Sequence, residues 1–141
     1  MAFLLHTVEG GRIPAWEYLP CGAIQPQVGL ALTMTSGNLA IASGTTAPLY
    51  ISMREEDAAV TAGTIIPVVR VLDSIVFETT FSAAATSIKV GDKVTISSDG
   101  TQVTATKTGG VAEVVWMDGT TAGSTVRVRF PGVVAAAAAG G

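Results

Sequence analysis

From residue 22 onward, hydrophobic and polar residues alternate in short runs separated by turn-forming residues. Val28, Leu30 and Leu32 occupy every second position, which is the period of a strand with one buried face. Similar runs follow at 39–41, 49–53, 65–81, 90–96, 103–106, 111–116 and 125–130. The pattern predicts an all-β domain over residues 22–130, folded as a compact small barrel or sandwich with at least six strands. Residues 54–60 are compatible with one or two helical turns.

Turn residues and alternation also predict which side chains are buried. Gly37-Asn38 and Asp99-Gly100 lie between runs, at positions typical of tight turns. Within the later runs, one set of hydrophobic positions shares a face with the period of a strand. We therefore expect the following side chains to point into the core: Ile75, Phe77, Val94, Ile96, Val126 and Val128.

Residues 1–21 have a different character. Glycines and prolines interrupt the segment, yet it carries many large hydrophobic residues. We interpret it as an extended N-terminal arm that docks on a partner; the alternative is an N-terminal tail folded back on its own domain. Aromatic and large apolar side chains dominate many interfaces. The expected partner contacts are Phe3, Leu5, Ile13, Trp16, Tyr18 and Leu19.

The C-terminal residues 131–141 form a small-residue tail. Five alanines at 135–139 precede two glycines. An isolated helix needs about 12–15 residues, so this run is too short to be stable alone. We expect the tail to become ordered only by contact with another surface.

Two segments of the chain resemble each other and suggest a two-unit repeat over 28–53 and 90–117. Val28-Gly29 and Val90-Gly91 each open an alternating run that ends in a turn at a glycine. Each segment then closes with an apolar strand. Two such units would pack together in one compact β domain.

Composition narrows the choice of partners. The chain has 141 residues, 48% hydrophobic and only 13% charged, with a net charge of −3. Its eight lysines and arginines are scattered, so direct binding to nucleic acid is not expected. Its apolar runs are shorter than the roughly 18 residues of a membrane helix, and the N-terminus lacks the basic start of a signal peptide. We expect the protein to be synthesised in a cytoplasm and not to associate with a membrane.

Candidate chemistry is sparse. The only histidine, His6, lies in the proposed arm, where it is poorly placed for a catalytic triad. The only cysteine, Cys21, is interpreted as a small buried residue. The run 55–57 is acidic but lacks the spacing of a calcium loop. We expect no catalytic residue, no metal site and no cofactor. Arg127 and Arg129 share one strand face, which is either solvated or in contact with an acidic partner.

Several of these stretches resemble a known family. Residues 28–53, with the Gly37-Asn38 turn and the following Gly44-Thr45-Thr46, resemble the head decoration proteins of lambda-like tailed phages. The second unit, from Val90-Gly91 to the strand ending near residue 130, is similar to small phage proteins that stabilise capsids. Together the two stretches cover roughly half of the chain.

The resemblance implies a structural protein of the virion. Such a protein binds the outer surface of the major capsid protein shell and stabilises the expanded head, without catalysis or cofactor. The resemblance also implies a homo-oligomer, with a trimer favoured on this ground alone. The alternative function is a receptor- or carbohydrate-binding β module, or a tail component of a virion.

Overall fold

The structure is a computed structural model that describes residues 2–8 and 13–132. These residues form ten β-strands in two five-stranded antiparallel sheets, with no helix among them. The sheets pack in a sandwich-like arrangement rather than a closed barrel. The predicted all-β class is therefore confirmed, in its sandwich form.

The N-terminal sheet has the strand order β2-β6-β5-β3-β4. Its strands are β2 (Trp16–Pro20), β3 (Ala31–Thr35), β4 (Asn38–Ile41), β5 (Tyr50–Ser52) and β6 (Ile65–Arg70). The C-terminal sheet has the order β1-β7-β10-β9-β8. Its strands are β1 (Leu4–Val8), β7 (Ile75–Thr80), β8 (Lys93–Val94), β9 (Ala112–Met117) and β10 (Thr125–Arg129).

The larger core lies between the two sheets. Three aromatic rings meet there, with centroids 5.7 Å apart for Phe3 and Phe130 and 5.9 Å apart for Phe77 and Phe130. All six side chains predicted to point inward are at most 2% exposed, which confirms the predicted strand faces. They are Ile75, Phe77, Val94, Ile96, Val126 and Val128.

A second core lies on the other face of the N-terminal sheet. Leu32, Leu39 and Ile66 are fully buried there. Two connecting segments contribute to this core, and the Val60 N–H donates to the Ile24 carbonyl across them at 2.8 Å. The stretch 54–60 is thus an extended connection and not a helix, because its backbone groups bond to a neighbouring segment.

The N-terminal segment is folded back on its own domain. β1 pairs with β7, and β2 pairs with β6, so residues before 22 supply an edge strand to each sheet. Phe3 is fully buried, and its N–H donates to the Gly29 carbonyl at 2.9 Å. A separate extended arm over 1–21 does not match these contacts. The physical reason is that an edge strand needs hydrogen bonds on one side only, which a short segment bounded by prolines can still provide. Of the predicted tail, residues 133–141 lie outside the described residues.

The two sheets share one pattern of pairing. Ala31 pairs with Ile51, and Lys93 pairs with Glu113, so both partners lie 62 positions later in the second pair. The hairpins that follow are also equivalent. Met34 pairs antiparallel with Leu39 across one turn, and Ile96 pairs antiparallel with Val103 across the other. The segments 28–53 and 90–117 therefore occupy corresponding places in the two sheets.

The correspondence extends to the strands that flank these segments. Leu19 pairs with Ile66, and Thr79 pairs with Val126, a shift of 60 positions for both partners. β2 is thus the counterpart of β7, and β6 is the counterpart of β10. The two sheets differ at this edge: β1 covers the outer side of β7, whereas in the described part of the chain the outer side of β2 meets β4 only at its end, through the bridge between Cys21 and Leu39.

Candidate interaction surface

The structure divides the six predicted contact residues into three groups by burial. Phe3 is fully buried, so its assignment as a partner contact does not fit the structure. Leu5 and Leu19 are half-buried, and each packs against a core. Ile13, Trp16 and Tyr18 instead expose 63%, 52% and 64% of their surface.

The strand pairing explains this division. Trp16 and Tyr18 project from one face of β2, and Leu19 projects from the other, because side chains alternate along a strand. The partner strand adds Ile65, which is 53% exposed and shares a face with Tyr18 through the register of β2 and β6. Trp16, Tyr18 and Ile65 together are called the apolar strip below, and Ile13 is exposed in the segment before β2. Ile65 was not among the sequence candidates, because only the pairing shows which β6 residues accompany β2.

The apolar strip is the uncovered margin of a core face. By register, Trp16 lies opposite Val69, which lies opposite Ile51. Val69 and Ile51 are at most 2% exposed. The same sheet face is therefore buried at its centre and open at the β2 edge. Contiguous apolar surface of this kind is typical of an interaction site in a soluble protein.

Among the described strands, β2 pairs with β6 on one side, and β4 reaches its other side only at the Cys21–Leu39 bridge. The Cys21 N–H donates to the Thr64 carbonyl at 2.9 Å, so the backbone groups of Cys21 point toward β6. The Gly22 N–H donates to a carbonyl of β4 at 2.9 Å, on the opposite side. Because these directions alternate along a strand, the backbone groups of Trp16 and Tyr18 point away from β6.

The one charged side chain on β2 is engaged within the chain. Arg70 Nε and Nη2 donate to the two carboxylate oxygens of Glu17, both at 2.9 Å. Arg70 also lies over the Tyr50 ring, 5.1 Å from its centroid. The hydrogen bond to Glu17 is the largest of the effects that raise the pKa of Arg70. This bidentate pair ties β2 to β6. Glu17 projects from the face of β2 opposite Trp16 and Tyr18, so the apolar strip carries no charge.

The outer face of the C-terminal sheet is polar and paired. Arg127 Nε lies 3.0 Å from a Glu78 oxygen, and Arg129 Nε lies 2.7 Å from a Glu113 oxygen. Arg127 also stacks over the Trp116 ring at 4.2 Å. Of the two interpretations of Arg127 and Arg129, the solvated strand face fits better, because their acidic partners belong to the same chain.

The remaining candidate residues are dispersed. His6 is exposed, and its Nδ1 lies 3.5 Å from the hydroxyl oxygen of the adjacent Thr7. Cys21 is fully buried, as expected, and burial raises the pKa of its thiol. In the acidic run, Glu55 accepts a hydrogen bond from the Val28 N–H at 3.0 Å. Within residues 2–8 and 13–132, no group of three or more His, Cys, Asp or Glu side chains is arranged to hold a metal ion.

Comparison of the sequence with family models and with curated proteins finds no match. The described residues also contain no helix long and apolar enough to cross a membrane. The surface chemistry of the chain is therefore the basis for its functional assignment.

Proposed function

We propose that this chain is a structural, non-enzymatic protein of a virus particle. It binds the outer surface of a tailed-phage capsid, formed by the major capsid protein, and stabilises the expanded head. The apolar strip carries the proposal, because it offers exposed aromatic side chains at one edge of a rigid sheet. The likeness of residues 28–53 to the decoration proteins of lambda-like phages supports the same assignment.

The physical task of such a protein suits the apolar strip. Each contact adds buried area between neighbouring subunits of the particle, and apolar burial contributes about 25 cal/mol per Å². Trp and Tyr are frequent anchors of interface energy. A contact built on Trp16 and Tyr18 depends little on charge, so it resists salt better than an ion-paired contact does.

The proposal places the protein on the virion surface as a homo-oligomer and assigns it no cofactor and no contact with nucleic acid. The net charge of −3 fits this assignment, because a protein that neutralises phosphates needs clustered cations. The arginines of the C-terminal sheet are paired with Glu78 and Glu113. They therefore offer little net positive charge to a nucleic acid.

Co-sedimentation with empty, expanded capsids tests the proposal. The intact protein should pellet with capsids, and Trp16→Ser with Tyr18→Ser should reduce the bound fraction by at least about tenfold. Trp116→Ser is the matched control, because Trp116 is also an exposed aromatic residue but lies on the other sheet. Equal binding by the strip variant and the intact protein would contradict the assignment, as would an intact protein that never pellets.

One observation favours a second candidate, a receptor- or carbohydrate-binding module or tail component of a virion. Trp16 and Tyr18 are two residues apart on one strand face, which provides an aromatic platform. This candidate predicts binding to a glycan or to host-cell surfaces that is lost in the strip variant, with no binding to capsids. Glycan-array and cell-binding measurements beside the capsid experiment distinguish the two functions.

A further inference from the structure

The four sheet edges of the molecule are protected to different degrees. β1 carries a shift in register between Leu5 and Thr7, and such an irregularity discourages pairing with another chain. β8 has only two residues, and β4 is joined to the end of β2 by a bridge between Cys21 and Leu39. β2 has five residues in continuous register with β6 and carries no lysine. The Cys21–Leu39 bridge also covers the C-terminal end of β2, but among the described strands residues 16–18 are the edge stretch with the fewest of these protections.

The correspondence between the sheets shows what the β2 edge can accept. Its counterpart β7 has β10 on one side and the antiparallel strand β1 on the other. Among the described strands, residues 16–18 of β2 have only the equivalent of β10, which is β6. The C-terminal sheet therefore has an antiparallel strand, β1, at a position where the N-terminal sheet has no equivalent strand among the described residues.

The outward-facing backbone groups of β2 limit how many residues an added strand can pair with. The outward backbone groups belong to Trp16 and Tyr18. Pro14 and Pro20 flank them and have no N–H to donate. An incoming strand can thus pair over only one short stretch, which favours a closed complex of two strands over an open-ended array.

We propose that the outer edge of β2 pairs antiparallel with β2 of a second copy of this chain. A two-fold interface requires a self-complementary surface, and an edge strand whose one charge is paired within its own chain meets this requirement when placed antiparallel to itself. Glu17 is already paired with Arg70 of its own chain, so the two β2 strands bring together no unpaired charge. The proposal rests on the proposed function only in placing neighbouring copies side by side on a particle.

The buried area sets the strength of this dimer. The aromatic rings of Trp16 and Tyr18 are each about half exposed, and such side chains bury roughly 150–250 Å² when fully covered. The two rings therefore contribute roughly 200 Å² per copy, below the ~800 Å² per partner of a standard stable interface. The dimer is accordingly weak in free solution, and neighbouring copies on a particle form it by virtue of their high local concentration.

Sedimentation equilibrium of the isolated full-length protein tests the pairing. The intact protein should pass from monomer to dimer as its concentration is raised across roughly the micromolar to millimolar range. Tyr18→Lys places a charge on the paired edge and should raise the dissociation constant by at least about tenfold. Val90→Lys is the matched control, since Val90 is 62% exposed in the connection before β8 of the other sheet, and it should leave the constant unchanged.

Amide hydrogen exchange provides a second measurement that does not depend on a variant. The outward N–H groups of Trp16 and Tyr18 should exchange more slowly as protein concentration rises. Protein that stays monomeric throughout, exchange at these amides that ignores concentration, or equal weakening by Val90→Lys would each overturn the pairing. Because no capsid is present, these outcomes are independent of the co-sedimentation result: a monomer that binds capsids overturns only the pairing, and a dimer that does not bind them overturns only the proposed function.

Discussion

Two equivalent faces of this molecule carry opposite chemistry. On the C-terminal sheet, Glu78 and Arg127 stand opposite each other and form an ion pair. Sixty positions earlier, Tyr18 and Pro67 occupy the same places on the N-terminal sheet. The backbone pairing is the same, yet one pair is charged and the other is apolar. The register of these strands therefore does not depend on the side chains of this face.

The opposite face explains why the register is preserved. Ile66 and Val68 in β6 correspond to Val126 and Val128 in β10, and all four are fully buried. A slip of one residue would move each set from a core to the other side of its sheet. Buried β-branched residues thus specify the register of the strands. The residues on the opposite face differ with their surroundings, which are water at Arg127 and another protein surface at Tyr18 under the proposals above.

Removing residues 2–20 should have the largest effect on stability. The deletion takes the edge strands β1 and β2 from both sheets and empties the site of Phe3. Loss of a buried Phe alone costs about 3–5 kcal/mol, and domains are stable by only about 5–15 kcal/mol. We expect the truncated chain to show no cooperative thermal transition by circular dichroism. An almost unchanged melting temperature would instead mean that residues 1–21 act as a separable arm.

The next largest effect is a difference in the cost of substitution at one pair of equivalent positions in the two sheets. Phe77 is buried in the larger core, and its counterpart 60 positions earlier is the half-exposed Glu17. Phe77→Ala should cost about 3–5 kcal/mol. Glu17→Ala should cost less than about 1 kcal/mol, because a partly exposed ion pair is screened by water. Urea unfolding of both variants measures the difference, and a cost below about 1 kcal/mol for Phe77→Ala would contradict the packing described here.

The sequence predicted what depends on local periodicity. From the alternation in 65–81 and 90–130, six side chains were predicted to point inward, and all six are buried, so the strand faces were predicted correctly. It could not assign residues 1–21, because whether Trp16 lies on an arm or on an edge strand depends on β6, which is some 50 residues away in sequence. Ile65 was missed for the same reason. The run 103–106, predicted as a strand, forms only isolated bridges at Val103, since the chain there pairs over too short a length.

A smaller difference in stability is expected between alanine substitutions at two equivalent glycines, one in each of the segments 28–53 and 90–117. Gly29 and Gly91 open corresponding segments and both have positive φ, 90° and 99°. A Cβ at Gly29 would lie 2.7 Å from the Phe3 carbonyl oxygen, whereas a Cβ at Gly91 would meet nothing within 4 Å. Gly91→Ala should cost roughly 1–2 kcal/mol from backbone strain. Gly29→Ala should cost about 1–3 kcal/mol more, because the N-terminal segment must shift.

Chemical denaturation of the two alanine variants checks this difference. Comparison with the wild-type protein gives each free-energy change at the same pH and temperature. If Gly29→Ala and Gly91→Ala were equally destabilising, Phe3 would not pack against Gly29 as the structure shows.

The smallest expected effect concerns the turns that close the corresponding hairpins. The turn at Ser36 and Gly37 holds no acid, whereas the other turn holds Asp99. Burial would raise the pKa of Asp99, but hydrogen bonds donated by Ser97 and Thr101 outweigh it, and the pKa is lowered. In the unfolded chain the carboxyl takes up its proton at a higher pH than in the folded chain. The unfolded state therefore binds more protons in the interval between the two values, and Asp99 contributes stability above about pH 4 that is lost on acidification.

Asp99→Asn tests this linkage because it retains an acceptor oxygen but removes the charge. The wild type should exceed the variant in urea midpoint at neutral pH, by a modest amount since Asp99 is exposed. The difference should shrink as the pH falls through the lowered pKa of Asp99. Ser36→Ala in the corresponding turn changes no titrating group, so its effect should be the same at neutral and acidic pH. A difference for Asp99→Asn that is equally independent of pH would show that the charge of Asp99 does not stabilise its turn.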